Sequence, residues 1–119
     1  MTINTFPALL QSFFTERLIQ QWRASAHTVA SYRDAFRLFL RFASEKLGKE
    51  PSVLSLKDFT ADFISSFLEY VEKGRNNCVR TRNARLSAIH SFFRYVSFRE
   101  PEYAELCYQI LAIPSKRFE

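Results

Sequence analysis

The sequence predicts an all-α protein, a small bundle of four to five helices, on three observations. Apolar residues recur at spacings of three and four through most of the 119 residues, which lays a stripe along one face of a 3.6-residue helix. Glycine occurs twice, and both Gly48 and Gly74 fall just after strongly helical runs, where a left-handed C-terminal cap favours it. A hydrophobic content of 47%, including thirteen Phe, is ample for a single core in a chain of one domain's length.

The first helix is expected over residues 6–22, with Phe6, Leu9, Leu10, Phe13, Phe14, Leu18, Ile19 and Trp22 at helical spacing and Thr5 and Pro7 as start signals. It is broad and aromatic, suited to complete the core or to meet another protein. The second is expected over 25–47, with Ser25 as N-cap and Tyr32, Phe36, Phe39, Leu40, Ala43 and Leu47 as its buried stripe. Arg33, Arg37 and Arg41 stand across from that stripe at i, i+4 and i+8. Like charges at this spacing repel, so the row suits a polyanion lying along it or a plain solvated face. His27 and Thr28 lie in the first turn, in reach of a phosphate.

Residues 48–56, marked by Pro51, form a connector in which Ser55 and Asp58 can cap a short turn. Thr60 starts a third helix whose core is Phe63, Ile64, Phe67, Leu68 and Val71 and whose surface is acidic or neutral. It ends at Glu72-Lys73-Gly74, and Asn77 is the expected N-cap of the fourth helix. After Pro101 a short fifth helix carries Tyr103, Leu106, Ile110 and Leu111. The domain is thus expected over 1–113, with 114–119, opening on Pro114, as the start of a linker.

The charge is unevenly placed. Residues 73–99 hold seven of the 17 Lys and Arg and no Asp or Glu, which leaves ten basic against 12 acidic residues elsewhere. Beneath that charge Val79, Leu86, Ile89, Phe93 and Val96 form one helical stripe, and the same projection turns Arg80, Ala84, Ser87, Ala88, Ser91 and Tyr95 outward. Short outward side chains let a helix approach a groove or a neighbouring helix. Arg80, Thr81, Arg82 and Arg85 concentrate donors at the N-terminal end, where the helix dipole adds positive potential. A basic excess on one helix is the footprint of nucleic-acid binding.

Catalysis is not expected of this chain. It has no phosphate-binding glycine motif, only two histidines and no pair of them at metal spacing, so neither cofactor nor metal is implied. His90 and Arg94 are spaced one residue too far apart for an H-x-x-R dyad, and the tyrosines sit on or beside apolar faces. Cys78 and Cys107 stand apart and are expected as reduced thiols. No apolar run approaches the roughly 18 residues of a membrane span, and the N-terminus does not read as a signal peptide. A cytoplasmic protein is expected.

Three stretches resemble the N-terminal core-binding domain of tyrosine recombinases, the phage-integrase and Xer class. They are Ser25-Ala-His27-Thr28 with Tyr32-Arg33-Asp34; Asp62-Phe63-Ile64-Ser65-Ser66-Phe67-Leu68-Glu69-Tyr70-Val71; and Arg85-Leu86-Ser87-Ala88-Ile89-His90-Ser91-Phe92-Phe93-Arg94-Tyr95-Val96. The resemblance covers nearly the whole chain. It implies two helical hairpins of SAM-like type that clamp one face of a recombination half-site, with the second and fourth helices against the major groove of double-stranded DNA. The residues it implicates are His27, Thr28, Arg33, Arg80, Thr81 and Arg85; Arg37, Arg41 and Arg82 rest on charge geometry. Strand cleavage would belong to a separate C-terminal catalytic domain of the same polypeptide, whose Arg-Lys-His-Arg-His/Trp-Tyr constellation is missing here, and other recombinase protomers would be partners on DNA. Two other readings stay open: a helix-turn-helix transcription regulator built on the third and fourth helices, and a helical protein-interaction module using the first and fifth.

Overall fold

A computed structural model of the chain describes residues 5–74 and 78–117. Among these residues there are helices and no strands. The chain divides into two compact units, Met1–Asp58 and Phe59–Glu119.

In the first unit α1 spans Phe6–Ser12 and continues with π geometry over Phe13–Gln21. Thr5 caps it, its hydroxyl accepting the Ala8 N–H at 3.3 Å, and Pro7 sits in the first turn, where no N–H is missed. The π segment closes through Trp22 N–H to the Arg17 carbonyl, 2.9 Å and five residues back. Each residue of a π turn advances by less than the α-helical rotation, so the stripe read at α spacing drifts out of register. Phe13 and Leu18 are buried, whereas Ile19 and Trp22, expected on the same stripe, are 52% and 48% exposed. Arg23 then takes a left-handed conformation (φ 50°), and Ala24 N–H reaches the Leu18 carbonyl at 2.8 Å. That ends the helix where glycine would be the unstrained choice.

α2 spans Ala26–Leu47. Ser25 is its N-cap, with Oγ accepting the Thr28 N–H at 3.1 Å, and Gly48 ends it in the left-handed region at φ 65°. Phe13 stacks on Tyr32 with ring centroids 6.4 Å apart and meets Phe36 edge-on, while Phe14 meets the other side of the pair through Phe36 at 6.1 Å. These contacts join α1 and α2 into a hairpin. Ala35, Phe36, Leu38, Phe39 and Ala43 are buried along α2, and Tyr32, Leu40 and Leu47 are half-buried. The connector turns as expected: Asp58 Oδ2 accepts the Ser55 N–H at 3.0 Å and Oδ1 receives Lys49 Nζ at 3.1 Å.

In the second unit α3 spans Ala61–Glu69 and continues in a π turn over Tyr70–Gly74. Thr60 caps it through Phe63 N–H at 3.1 Å. α4 spans Val79–Arg99, after a 3₁₀ turn at Pro101–Tyr103 comes α5, Ala104–Leu111, and α4 packs most extensively on α5. Asn77, the expected N-cap of α4, lies outside the described residues, and the cap position is held by Cys78. Ile64, Phe67, Leu68, Val71, Leu86, Ala88, Ile89, Phe92, Phe93, Tyr95, Val96, Cys107 and Ile110 are buried apolar side chains of this unit's helices.

Candidate nucleic-acid interface

On α2 the basic side chains emerge as the sequence predicts. Arg33, Arg37 and Arg41 are all exposed, because the opposite side of the helix supplies the buried stripe. Arg37 Nη1 lies 3.5 Å from Asp34 Oδ1, both side chains more than 60% exposed. An ion pair so wet is worth at most about 1 kcal/mol, so it does not hold Arg37 to Asp34 against a competing anion. Arg33 and Arg37 also line an apolar cleft of about 480 Å³ with Leu10, Phe14, Phe36 and Leu40. Long basic side chains of this kind cover apolar surface with their stems and keep the charged head in water. At the start of the helix His27 is exposed and Thr28 is half-buried, its hydroxyl accepting from Ser25 Oγ at 3.1 Å.

α4 divides its arginines. Arg80 is exposed, Thr81 and Arg85 are half-buried, and Arg82 is 8% exposed. Arg82 was expected among the outward donors. Instead its Nη1 donates to the Pro114 carbonyl and to Asn83 Oδ1, each at 3.1 Å. The reason is register: Arg82 lies four residues before Leu86 and continues the buried sequence of Leu86, Ile89, Phe93 and Val96. Arg85 has a buried Nε without a hydrogen-bond partner among the described residues.

The outward face of α4 is also narrower than its apolar period suggests. Ala88 and Tyr95, projected outward, are 1% and 2% exposed, and Ser91 is half-buried. With Phe92 they make a second buried row, so the helix is enclosed on a wide arc. Arg99 donates to the Tyr95 hydroxyl and lies over its ring, 5.4 Å from the centroid. What stays exposed is a stripe of Arg80, Ala84, Ser87, Arg94 and Phe98, with Arg99 exposed beside it at the C-terminal end. Arg94 is therefore a candidate that the sequence reading passed over; its spacing of fourteen from Arg80, four helical turns, was the available signal.

His90 Nε2 lies 3.0 Å from the Ile110 carbonyl, tying α4 to α5, and burial, helped by Arg94 and Arg82, holds its pKa below the ordinary histidine value against the pull of that bond. The Cys107 thiol is buried and pushed up to about 11. The exposed Cys78 is lowered by the Thr81 N–H and then by its hydroxyl, whose oxygen is 3.6 Å from Sγ. Both cysteines are free. Among the described residues no group of three or more His, Cys, Asp or Glu side chains could hold a metal, and no helix is long and apolar enough to cross a membrane.

An all-helical chain of capped hairpins, with arginines on α2 and at the start of α4, is what the recombinase resemblance implies, and comparison with known families places it. Residues 10–99 match the family described as phage integrase, N-terminal SAM-like domain, and the chain belongs to that family. Its relatives include two proteins of Sinorhizobium fredii. "Putative integrase/recombinase y4rC" is 52% identical over 110 residues, covering 92% of this chain and 33% of that protein. "Putative integrase/recombinase y4rD" is 45% identical over 109 residues, covering 92% of this chain and 39% of that protein. The chain thus spans between a third and two fifths of the length of these relatives. No solved structure matches it.

Proposed function

We propose that this chain is the DNA-binding domain of a site-specific integrase/recombinase and that it holds one face of a recombination half-site. The observation that carries the reading is the exposed row of Arg33, Arg37 and Arg41 on α2, of which Arg37 makes a wet pair with Asp34, in a member of the integrase family. Three guanidinium groups along some two helical turns repel one another, and a polyanion lying along the row relieves that repulsion. In this reading α2 neutralises backbone, with His27 and Thr28 adding contacts at its start. Arg80, Thr81 and Arg85 bring donors to base edges or to the adjacent phosphates, where the N-terminal end of α4 adds its own positive potential. The small Ala84 and Ser87 allow close approach, and Ala84 offers shape or apolar contact rather than a hydrogen bond.

Chemistry at the scissile phosphate is assigned to a catalytic domain elsewhere in the polypeptide, joined through the residues that follow Pro114, and other protomers on the same DNA would complete the assembly. The test is a fluorescence-anisotropy titration of a half-site duplex across salt concentrations, with a supercoiled plasmid as a cleavage control. If six phosphates are neutralised, log K falls with log salt at a slope of about −5, and the plasmid stays intact. Binding that ignores salt, or nicking by this chain alone, contradicts the proposal.

A further inference from the structure

Asn83 makes a contact that the proposed DNA surface does not account for. Its Nδ2 donates to the Lys116 carbonyl at 2.8 Å, and its Oδ1 accepts the Lys116 backbone N–H at 2.9 Å. A side-chain amide paired in both senses with one residue's main chain imitates a neighbouring strand, and it satisfies a donor and an acceptor that no helix engages. Arg82 orients that amide: the same Oδ1 receives Arg82 Nη1 at 3.1 Å, and Nη1 also meets the Pro114 carbonyl. Lys116 Nζ reaches Glu72 Oε1 at 2.8 Å. Residues 114–117 are exposed and outside any helix, so their order costs conformational entropy that these contacts must offset.

The direction of the segment follows from its partners. The Ile110 carbonyl lies against His90, the Pro114 carbonyl against Arg82 and the Lys116 main chain against Asn83. The chain leaving α5 therefore runs back along α4 toward its N-terminal end, and Lys116 arrives within one helical turn of Arg80. Lys116 is neutralised by Glu72, but Arg117 follows it, exposed. An N-terminal domain linker read from sequence is a loose tether; this one is fastened at its root.

We infer that Arg82 and Asn83 are positioning residues that clasp residues 114–117 against the first turns of α4, so that Arg117 belongs to the same DNA-binding end as Arg80. The inference rests on the DNA-binding reading above, and the experiment separates the two. It compares the chain with its Asn83→Leu variant, similar in size and unable to hydrogen bond. Without DNA, hydrogen exchange should show the Lys116 amide of the unaltered chain at least about tenfold slower than in an unfolded chain, and at the free rate in the variant, with the α4 amides unchanged. With a short random duplex, the variant should bind several-fold more weakly at low salt, with a salt slope shallower by about one, the contribution of one phosphate contact. Arg117→Ala, which leaves the clasp intact, should shift the slope equally and carries the test if Asn83→Leu disturbs α4.

A Lys116 amide that exchanges at the free rate in the unaltered chain overturns the clasp. An open clasp with slope and affinity unchanged overturns its part in DNA binding. A protected Lys116 in a chain that binds no DNA at any salt refutes the DNA-binding reading and that part with it, while the clasp itself stands.

Discussion

α2 and α4 are nearly equal in length, 22 and 21 residues, and each carries arginines above an apolar stripe, yet they use those arginines differently. α2 keeps one side buried and one side open, so Arg33, Arg37 and Arg41 share a surface. α4 is enclosed on a wide arc, and its arginines are sorted by position: Arg80, Arg94 and Arg99 outside, Arg85 half-buried, Arg82 inside. Local charge density and presented charge are therefore different quantities. The segment with the larger basic excess in sequence withdraws part of it from the surface and scatters the rest, because a residue's phase relative to the buried stripe decides whether its charge meets solvent, a partner or the protein's own backbone.

The largest effect is expected at Arg82, the arginine that α4 buries. Arg82→Ala removes a buried guanidinium and leaves the Pro114 carbonyl without its donor, at a cost of about 1.5–3 kcal/mol for a hydrogen bond made by a charged group. Arg41→Ala, at an exposed site on α2, should stay within about 0.5 kcal/mol. Urea unfolding of both variants decides the matter, and equal midpoints would show that α4 does not divide its arginines as described.

Next comes recognition. If Arg80 meets a guanine edge, Arg80→Ala lowers discrimination between the cognate half-site and random duplex by about 1–3 kcal/mol, whereas Arg37→Ala weakens both duplexes alike. Competition titrations with the two duplexes measure this, and parallel losses in both variants would leave α4 without a role in reading sequence.

The smallest effect concerns pH. With its pKa held below the unfolded value of 6.5 by burial, His90 adds stability that is present above that value and is lost as pH falls through the folded one. Asp58 and Glu72, both lowered, titrate below their ordinary 3.8 and 4.5, so the loss between pH 6.5 and 5 is theirs only in small part. Urea midpoints at pH 7.5 and 5 should differ more for the unaltered chain than for His90→Gln, and an equal difference would show that the burial of His90 does not set the pH dependence.

Much of the fold was legible because its signals are local. Thr5, Ser25 and Thr60 cap the helices where the sequence placed them, and Gly48 takes the left-handed turn that follows α2. The arginine row of α2 was legible for the same reason, since one stripe and its opposite side are both set by the helical period. The π continuations were not, because Ile19 and Trp22 fit α spacing equally well and only the hydrogen-bond register moves them outward. Arg23 gives no hint of a left-handed conformation, which its long side chain disfavours. Arg82 could have been placed by extending the Leu86 row one turn toward the N-terminus. Asn83 could not: its partner Lys116 lies 33 positions away, and nothing near either residue announces the pairing.

The proposed phosphate-neutralising surface on α2 is tested most directly by the salt dependence of DNA binding by the chain with Arg33, Arg37 and Arg41 all changed to alanine. Each lost phosphate contact should flatten the slope of log K against log salt by about 0.9, so the triple variant should fall from about −5 to between about −2 and −3 on cognate and random duplex alike. A triple variant that folds normally and keeps the original slope would contradict the account and remove α2 from the DNA interface.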